Sequence, residues 1–485
     1  MTGPTDHAVI VGAGLGGLAC AVRLAGAGRR VTVLERETTP GGRAGRLAVD
    51  GYQFDTGPTV LTLPHLIEDT LEPVHEKLTD WLELAPLDPA YRAHFPDGST
   101  LDVGADTAST AAEISRVCGP READGYLRFV EYARMLYRLE WSSFVDRNFD
   151  SPFDVLGTDL VRLIAAGGFR RLDNKVQEFF KDPRTRRIFS FQSMYAGVAP
   201  HRALALYAVI SYIDTVAGVY FPRGGMYAVP TALAAIAARH GVQIRYGCEV
   251  QGVEVRNGRA RAVTTTDGER IPADVVVLNP DLPIAHETLL GRPLRRRLTY
   301  SPSCVVLHLG ASQAYSGIAH HNIHFGRAWR RTFEDIIARG RLMTDPSLLV
   351  TNPSRSDPSL APPGRHSYYV LAPVPNQTAS IDWSTTGARY ADELLEVLEE
   401  RGYRGLSAAT EVRRVVTPQD WADAGMAGGT PFAAAHTFGQ TGPLRPGNLA
   451  AGLENVVFVG SGTQPGVGVP MVLVSARLAA ERILG

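Results

Sequence analysis

Residues 7–35 read HAVIVGAGLGGLACAVRLAGAGRRVTVLE, and this stretch decides the fold. Residues 7–12 form a short apolar run rich in β-branched side chains, which is typical of a strand buried on both faces. A glycine-rich turn, an Ala/Leu-rich helix and a second β-branched run ending on Glu35 follow in that order. This order predicts a βαβ unit whose first turn binds a nucleotide.

The residues of this unit have separate physical tasks. Gly12 permits a tight strand-to-helix turn, Gly14 lets the backbone approach a pyrophosphate, and Gly17 lets helix and strand pack closely. The exposed N–H groups and the dipole at the helix start favour the phosphate charge. Glu35 can accept from both ribose hydroxyls, which favours FAD or NAD over NADP, although Arg36 beside it weakens that preference. The competing interpretation is a βαβ unit without a nucleotide.

The next two segments separate FAD from NAD. Residues 40–45 read PGGRAG and residues 54–59 read FDTGPT, soon after the second strand. Gly41 and Gly42 supply a turn whose backbone can touch a ligand. Arg43 supplies a planar donor fork for phosphate or flavin oxygens, and a surface arginine in a turn is the competing interpretation.

Two later segments are predicted to return to the same domain. Residues 241–279 contain alternating β-branched runs, a hairpin around Asp267 and Gly268, and an apolar strand. Residues 456–459 form another short apolar strand, followed by a Gly/Pro loop and a helix with Pro470 at its first position. The start of this helix is predicted to face the flavin N1/C2 edge, and a packing helix is the competing interpretation.

Composition excludes several functional classes. The 485 residues include 49 Lys+Arg and 50 Asp+Glu, so no global attraction to nucleic acid is expected. The four cysteines are dispersed, and no metal site is expected from the histidines, which are interpreted as ordinary buried or surface side chains: His308, His320, His321 and His324. No signal peptide or membrane span is recognised, which predicts a cytoplasmic protein.

Four further segments belong with the N-terminal unit: GYQFDTGPTVLT, GVYFPRGGMYAVP, DPSLAPPGRHSYYVLAPVPN and VGSGTQPGVGVPMVLVSARLAAE. Through these segments the chain resembles the FAD-dependent phytoene desaturases of carotenoid biosynthesis, of the bacterial and fungal type. The N-terminal part is shared with amine oxidases, whereas SLAPPG, YVLAPVP and GTQPGVGVP are narrower and carry the resemblance. Ser461, Gln464 and Met471 depart from the commoner Ala, His and Gly.

The resemblance implies an α/β fold with a Rossmann-like FAD-binding domain, of the two-dinucleotide-binding-domain flavoprotein type, and an inserted mixed α+β substrate domain. The FAD-binding domain would comprise residues 1–105, 221–290 and 417–485. The substrate-binding and membrane-associating domain would comprise residues 106–220 and 291–416. The implied FAD-binding residues are Gly12, Gly14, Leu15, Gly17, Glu35, Arg36, Gly42, Arg43, Thr56, Gly57, Pro58, Thr59, Val250, Gly460, Gly462, Gly468, Val469 and Pro470.

The implied reaction is desaturation of phytoene to carotenes such as neurosporene or lycopene, by hydride transfer to flavin N5 and proton loss. Asp154 matches a carboxylate proposed to face the flavin, and a simple helix cap is its competing interpretation. The alternative functions are another flavin-dependent polyene oxidoreductase (a diapocarotenoid desaturase, a carotenoid oxidase or a saturase), an amine oxidase and a non-catalytic lipid-binding relative.

The expected partners are a hydrophobic polyene and the lipid surface at the inner face of the cell membrane. Residues 162–187 interleave basic and apolar side chains, as an interfacial segment does, and a solvated helix face is the competing interpretation. The number of desaturation steps, the substrate carbon number, the terminal electron acceptor and the oligomeric state stay open.

Overall fold

A computed structural model describes residues 3–485. The strands are β1 His7–Val11, β2 Arg30–Leu34, β3 Arg46–Val49, β4 Tyr52–Asp55, β5 Leu61–Thr62, β6 Leu84–Pro86, β7 Tyr91–His94, β8 Thr100–Val103, β9 Val219–Pro222, β10 Gln243–Arg245, β11 Val250–Arg256, β12 Arg259–Thr265, β13 Arg270–Pro272, β14 Val275–Leu278, β15 Ser303–Ala311, β16 His321–His324, β17 Leu348–Thr351, β18 His366–Val374, β19 Thr410–Val416 and β20 Val456–Phe458.

The α-helices are α1 Leu15–Gly26, α2 His65–Leu71, α3 Thr107–Cys118, α4 Pro120–Glu140, α5 Thr158–Ala165, α6 Leu172–Phe179, α7 Pro183–Ile188, α8 Ala208–Thr215, α9 Ala228–Arg239, α10 Leu282–Ile284, α11 Trp329–Phe333, α12 Pro353–Ser356, α13 Trp383–Glu400, α14 Leu406–Ala409, α15 Pro418–Asp423 and α16 Val469–Leu484.

The predicted nucleotide domain is built on a parallel sheet with the strand order β10-β2-β1-β14-β20. Every residue of β1 is buried, as expected for a central strand covered on both faces. Helices α1, α9 and α16 pack together beside it, and the antiparallel sheet β11-β12-β13 contributes to a second apolar cluster. The Rossmann-like α/β architecture is therefore confirmed.

The second body is a seven-stranded mixed sheet with the order β19-β15-β18-β17-β16-β7-β8, in which β16 and β7 pair in parallel. Helix α13 packs against this sheet through a cluster of buried side chains that includes Leu394 and Leu398. The strands β7 and β8 lie inside the predicted FAD-binding segment 1–105, yet their hydrogen bonds join them to this sheet. Strand β7 thus pairs with β16, a strand that lies far from it in the sequence.

A small sheet connects the two bodies. Strand β9 follows helices α3 to α8 and pairs antiparallel with both β5 and β6. The chain that returns from these helices is thus fixed beside the segment that contains Thr59. Within residues 3–485, none of the helices is both long enough and apolar enough to cross a membrane.

Candidate functional site: a nucleotide cradle and a glycine-rich loop

The first glycine turn has the predicted geometry. Gly12 has φ of +98°, and a Cβ on Gly17 would lie 2.1 Å from the carbonyl oxygen of Gly12. Helix α1 starts at Leu15 with Gly14 as its N-cap and without a side-chain cap, so its first N–H groups are available to an anion. Asn279, which the sequence reasoning missed, donates from Nδ2 to the carbonyl of Gly12 at 3.3 Å.

The carboxylate of Glu35 lies at the carboxyl end of β2 and is buried. One oxygen accepts the N–H of Ala13 at 2.6 Å, and the other accepts the N–H of Glu37 at 3.0 Å. Because each carboxylate oxygen can accept twice, both retain a lone pair for a ribose hydroxyl. Arg36 donates outward to Glu37 and to the carbonyl of Ala424, so its guanidinium is held at the surface.

The second glycine segment lies directly against the first. The N–H of Gly41 donates to the carbonyl of Ala13 at 2.9 Å, and a Cβ on Gly42 would lie 3.4 Å from Cα of Gly14. A Cβ on Gly57 would lie 2.0 Å from the carbonyl oxygen of Arg43, so this position requires the absence of a side chain. The two segments therefore form one cradle of exposed backbone.

Arg43 already has protein partners. It pairs with Asp281 at 2.6 Å and donates to the hydroxyl of Ser461. Burial raises the pKa of Asp281, and the Arg43 guanidinium opposes that shift. Ser461, one of the departures from the commoner motif, thus ties the C-terminal loop to the PGGRAG turn.

The remaining predicted cofactor residues flank the cradle. Val250 is buried at the start of β11, two residues after Cys248, whose N–H donates to the carbonyl of Glu35 at 2.8 Å. Thr56 donates its N–H to the carbonyl of Gly45 at 3.0 Å and leads into Pro58 and the buried Thr59. Val250 therefore lies two residues beyond the contact between Cys248 and Glu35, and its contact with FAD stays a prediction.

Asp55, which the sequence reasoning did not single out, fixes the segment that returns from the helical region. Its carboxylate accepts the N–H groups of Met226 and Tyr227, each at 2.9 Å. Burial raises the pKa of Asp55 to about 6, against the lowering effect of these two hydrogen bonds.

The C-terminal loop also depends on residues without Cβ atoms. Gly460 has φ of +107° and donates its N–H to Ser475 Oγ, while a Cβ on Gly462 would lie 2.7 Å from Leu282. Gly468, with φ of +107°, caps α16. Because α16 starts at Val469, Pro470 occupies its second position and not its first.

His436 lies against this loop and was missed because it stands alone in its sequence segment. A Cβ on Gly466 would lie 2.3 Å from Cε1 of this imidazole. Burial lowers the pKa of His436 well below its ordinary value, so the ring is neutral at physiological pH. Only a glycine at position 466 lets loop and imidazole approach this closely.

Asp154 forms a helix cap. Its Oδ2 accepts the N–H groups of Asp150 and Ser151, each at 2.8 Å, in a capping box at the start of a short 3₁₀ helix. These two bonds hold the pKa of Asp154 below its ordinary value. Its charged neighbours are Arg147 and Arg482, and Arg482 lies in the last turn of α16, the turn farthest from Gly468. The cap is thus present, and contact with a flavin stays a prediction.

The histidines considered as metal ligands have separate partners. His320 bonds to Ser356, His321 to Thr351 and His324 to Tyr403, at 2.7, 2.8 and 3.0 Å. Among residues 3–485, no group of three His, Cys, Asp or Glu side chains is arranged to hold a metal ion.

The cradle fits a dinucleotide. The first N–H groups of α1 are free, the glycine backbone can be approached without meeting a side chain, and the carboxylate of Glu35 can accept from a ribose. The sequence pattern of the flavin containing amine oxidoreductases matches residues 15–484. The chain belongs to this family.

Its relatives include a phytoene dehydrogenase of Streptomyces griseus, 55% identical over the whole chain and 96% of that protein. A zeta-carotene-forming phytoene desaturase of Myxococcus xanthus is 40% identical over 98% of the chain and 93% of that protein. Both relatives match almost the full chain, so within this family the chain groups with the phytoene desaturases.

Solved structures support the fold. An oxidoreductase from Methanosarcina mazei matches with a TM-score of 0.63 at 17% identity, over 98% of this chain and all of that one. A putrescine oxidase matches with a TM-score of 0.62 at 16% identity, over 99% of this chain and all of that one. The family match and the phytoene dehydrogenase and desaturase relatives, and not these structures, identify the chain as a flavin-dependent oxidoreductase that acts on CH–CH groups.

Proposed function

We propose that this protein desaturates a C40 carotenoid precursor, phytoene or a close analogue, using FAD as its cofactor. The observation that carries the proposal is the 55% identity to a phytoene dehydrogenase across the whole chain, on a fold whose cradle fits a flavin dinucleotide. The relatives include zeta-carotene-forming, neurosporene-forming and lycopene-forming enzymes, so the number of desaturation steps is left open.

The chain's own residues would hold FAD along the edge of the parallel sheet. Glu35 would accept from the adenosine ribose, the first N–H groups of α1 and the Gly41–Gly42 backbone would receive the pyrophosphate, and Gly460 and Gly462 would let the ring end approach. When bound, FAD supplies the two-electron acceptor for the hydrocarbon, which has no ionisable group for the protein to act on. The protein then provides position and exclusion of water.

A cavity of about 1680 Å³ is the candidate substrate route. Its buried lining includes Gly197, Pro302 and Ala435. Ala435 directly precedes His436, whose imidazole lies against Gly466 of the glycine-rich loop. We therefore assign the inner end of the cavity to the side of the flavin loop, and its outer end to the exposed Phe438 and the arginines at the rim.

The rim arginines give the cavity a positive mouth. Six arginines line it. Arg339 and Arg389 pair with neighbouring carboxylates, whereas within the described chain the other four have no carboxylate oxygen within 4.0 Å: Arg171, Arg202, Arg297 and Arg341. Such unpaired guanidinium groups suit an anionic lipid surface.

Exposed apolar side chains lie beside this mouth. Phe438 is 64% exposed and contacts the ring of Phe169, and the neighbouring helix α5 region exposes four more: Phe153, Leu156, Val161 and Ile164. Several exposed apolar side chains near cations are typical of a peripheral membrane-docking face. We propose that this face, at the inner surface of the cell membrane, admits the polyene to the cavity.

The predicted docking segment, residues 162–187, is only part of that face. Arg170 and Lys175 both pair with Glu178, at 2.5 and 2.8 Å, and Lys175 also lies over the ring of Tyr132. Arg171 is the basic residue of the three that lacks a carboxylate partner within the described residues. The proposed domain division follows the earlier prediction, except that residues 91–103 belong with the substrate domain.

Expression in a host that accumulates phytoene, followed by chromatography of the pigments, tests the function. Coloured, more conjugated carotenes support the proposal. A matched Gly17→Val variant is expected to leave phytoene unchanged, because its side chain would clash with the carbonyl oxygen of Gly12 and disrupt the turn. Unchanged phytoene with the native chain, together with conversion of another polyene, would refute it.

A further inference from the structure

Arg445 is a fully buried cation behind the glycine-rich loop. Its side chain is 2% exposed. It donates to the carbonyls of Ser461 at 2.7 Å, Thr463 at 3.2 Å and Ala434 at 3.2 Å. These partners are neutral carbonyls, and within residues 3–485 no carboxylate oxygen lies within 4.0 Å of this guanidinium.

The surrounding charges leave a positive excess. Asp281 is the acidic group that acts on Arg445, but it is already engaged in the 2.6 Å pair with Arg43. Arg296, which donates to the carbonyls of Leu444 and Gly439, adds repulsion. Burial lowers the pKa of Arg445 to about 10, so the group stays charged at neutral pH. Arg43 and Arg445 therefore face one carboxylate, and Arg296 adds a third positive charge, which is unfavourable unless a bound ligand supplies the missing negative charge.

The position of this excess along the sheet indicates which part of the cofactor it faces. Glu35 follows β2 and Gly14 follows β1, so a bound dinucleotide would have its ribose and pyrophosphate over these two strands. Ser461 and Thr463 follow β20, two strands beyond β1 in the sheet order. With neighbouring strands about 4.8 Å apart, this turn lies roughly 10 Å past the pyrophosphate site, toward the ring end of a flavin dinucleotide.

We propose that Arg445 stabilises the reduced, anionic form of the flavin through the Ser461–Thr463 turn. This inference rests on the proposed use of FAD. Two electrons and one proton added to oxidised FAD leave one negative charge on the ring, at the pyrimidine edge. Arg445 is a positioning residue in this scheme, since it holds the turn by its carbonyls and contributes its charge from behind it.

The test compares Arg445→Met and Arg445→Lys holoproteins with the native protein. Midpoint potentials are measured by photoreduction against a reference dye, with the dissociation constant of oxidised FAD measured in parallel. Arg445→Met is expected to bind reduced flavin, relative to oxidised flavin, about tenfold less favourably than the native protein. This corresponds to a midpoint potential lower by about 30 mV for a two-electron couple. Arg445→Lys keeps the charge and is expected to recover most of that loss. Arg184→Met, which removes a half-buried arginine paired with Asp182 elsewhere, is the matched control and is expected to keep the native potential.

The outcomes separate the possible roles. A tenfold loss of oxidised-FAD affinity with an unchanged potential would assign Arg445 to the pyrophosphate and overturn the proposal. A native potential with only a lower melting temperature would make it purely structural, which also overturns it. If Arg445→Met does not fold, sulfite is titrated into the native holoprotein, because the flavin–sulfite adduct needs a stabilised negative charge on the ring. An absence of adduct then overturns the proposal, whereas a chain that never binds FAD refutes the proposed function instead.

Discussion

The carboxylate of Glu35 accepts the backbone N–H of Ala13 at 2.6 Å. This bond closes the end of β2 onto the glycine turn, so the proposed ribose acceptor and the proposed pyrophosphate site are held as one unit. In the proposed function the two oxygens of Glu35 accept from both the backbone and a ribose, and this double role leads to the first prediction.

Replacing Glu35 with Ala is expected to weaken FAD binding by about 10- to 150-fold, because a charge-assisted acceptor contributes about 1.5–3 kcal/mol. Polyene capture should change little. Titration of FAD into the apoprotein measures the effect, with Glu37→Ala as the control because its side chain is 63% exposed. Native affinity in Glu35→Ala would show that this carboxylate does not bind the ribose.

Gly468→Val is expected to slow anaerobic flavin reduction by substrate much more than it lowers the melting temperature. The physical reason is backbone strain at a φ of +107° and not a steric clash, since a Cβ there would meet only Pro470, at 4.0 Å. The strained backbone would displace the start of α16 and the N–H groups that it directs toward the flavin.

The matched control is Gly447→Val, a glycine with open space and no left-handed φ. Stopped-flow reduction of the flavin is the measurement. A native rate in Gly468→Val would place the active centre away from this loop.

Met471→Gly is expected to shift the ladder of carotene products toward longer conjugation while the FAD content stays constant. Met471 lies half-buried in the first turn of α16, and its removal would lengthen the space at that end of the proposed channel. Met471→Leu keeps a similar volume and should keep the native ladder. Chromatography of both variants decides, and identical ladders in all three proteins would assign Met471 to packing only.

The proposed docking face predicts two separable losses in liposome flotation. Serine at both Phe153 and Leu156 should reduce binding to all vesicles, because it removes exposed apolar area. Glutamate at Arg171, Arg202 and Arg297 should reduce binding to anionic vesicles only, by about fivefold per residue. Arg256→Glu serves as the charge control, because Arg256 lies on β11, outside the proposed docking face, and is 73% exposed. Native flotation of both variants at low salt would reject this face.

Asp214 predicts a pH dependence of stability. Burial raises its pKa to about 7 from an ordinary value of 3.8, so the folded chain holds this proton more tightly than the unfolded chain. The free energy of unfolding should therefore fall as the pH rises through this window, and the penalty is complete above pH 7.

Asp214→Asn is expected to raise the unfolding free energy at pH 8 and to change it little at pH 4. Asp159→Asn should instead lower the unfolding free energy at pH 8, because the hydrogen bond from Ser143 lowers the pKa of Asp159 and stabilises its charged form. Chemical denaturation at both pH values measures the difference. Equal effects of Asp214→Asn at both would show that this carboxyl is not perturbed.

The part of the fold that the sequence predicted well is local. Gly12, Gly17 and Glu35 belong to one βαβ unit, where spacing along the chain sets spacing in space. The start of α16 was predicted within two residues for the same reason.

The residues that were missed act across long sequence separations. Asn279 reaches Gly12 from a strand that neighbours β1 only in space, and Arg445 reaches Ser461 and Ala434 through backbone carbonyls that carry no residue signature. The pairing of β7 with β16 was also not foreseen, because an alternating pattern shows that a face is buried and not which sheet buries it.

The edge strand β20 has a consequence for biosynthesis. The parallel sheet takes its last strand from residues 456–458, and α16 then packs on α1, which is made at the opposite end of the chain. A chain emerging from the ribosome therefore carries an incomplete nucleotide site until residues 456–484 have been translated. Removal of residues 456–485 is accordingly expected to abolish flavin retention as thoroughly as the loss of the first glycine turn.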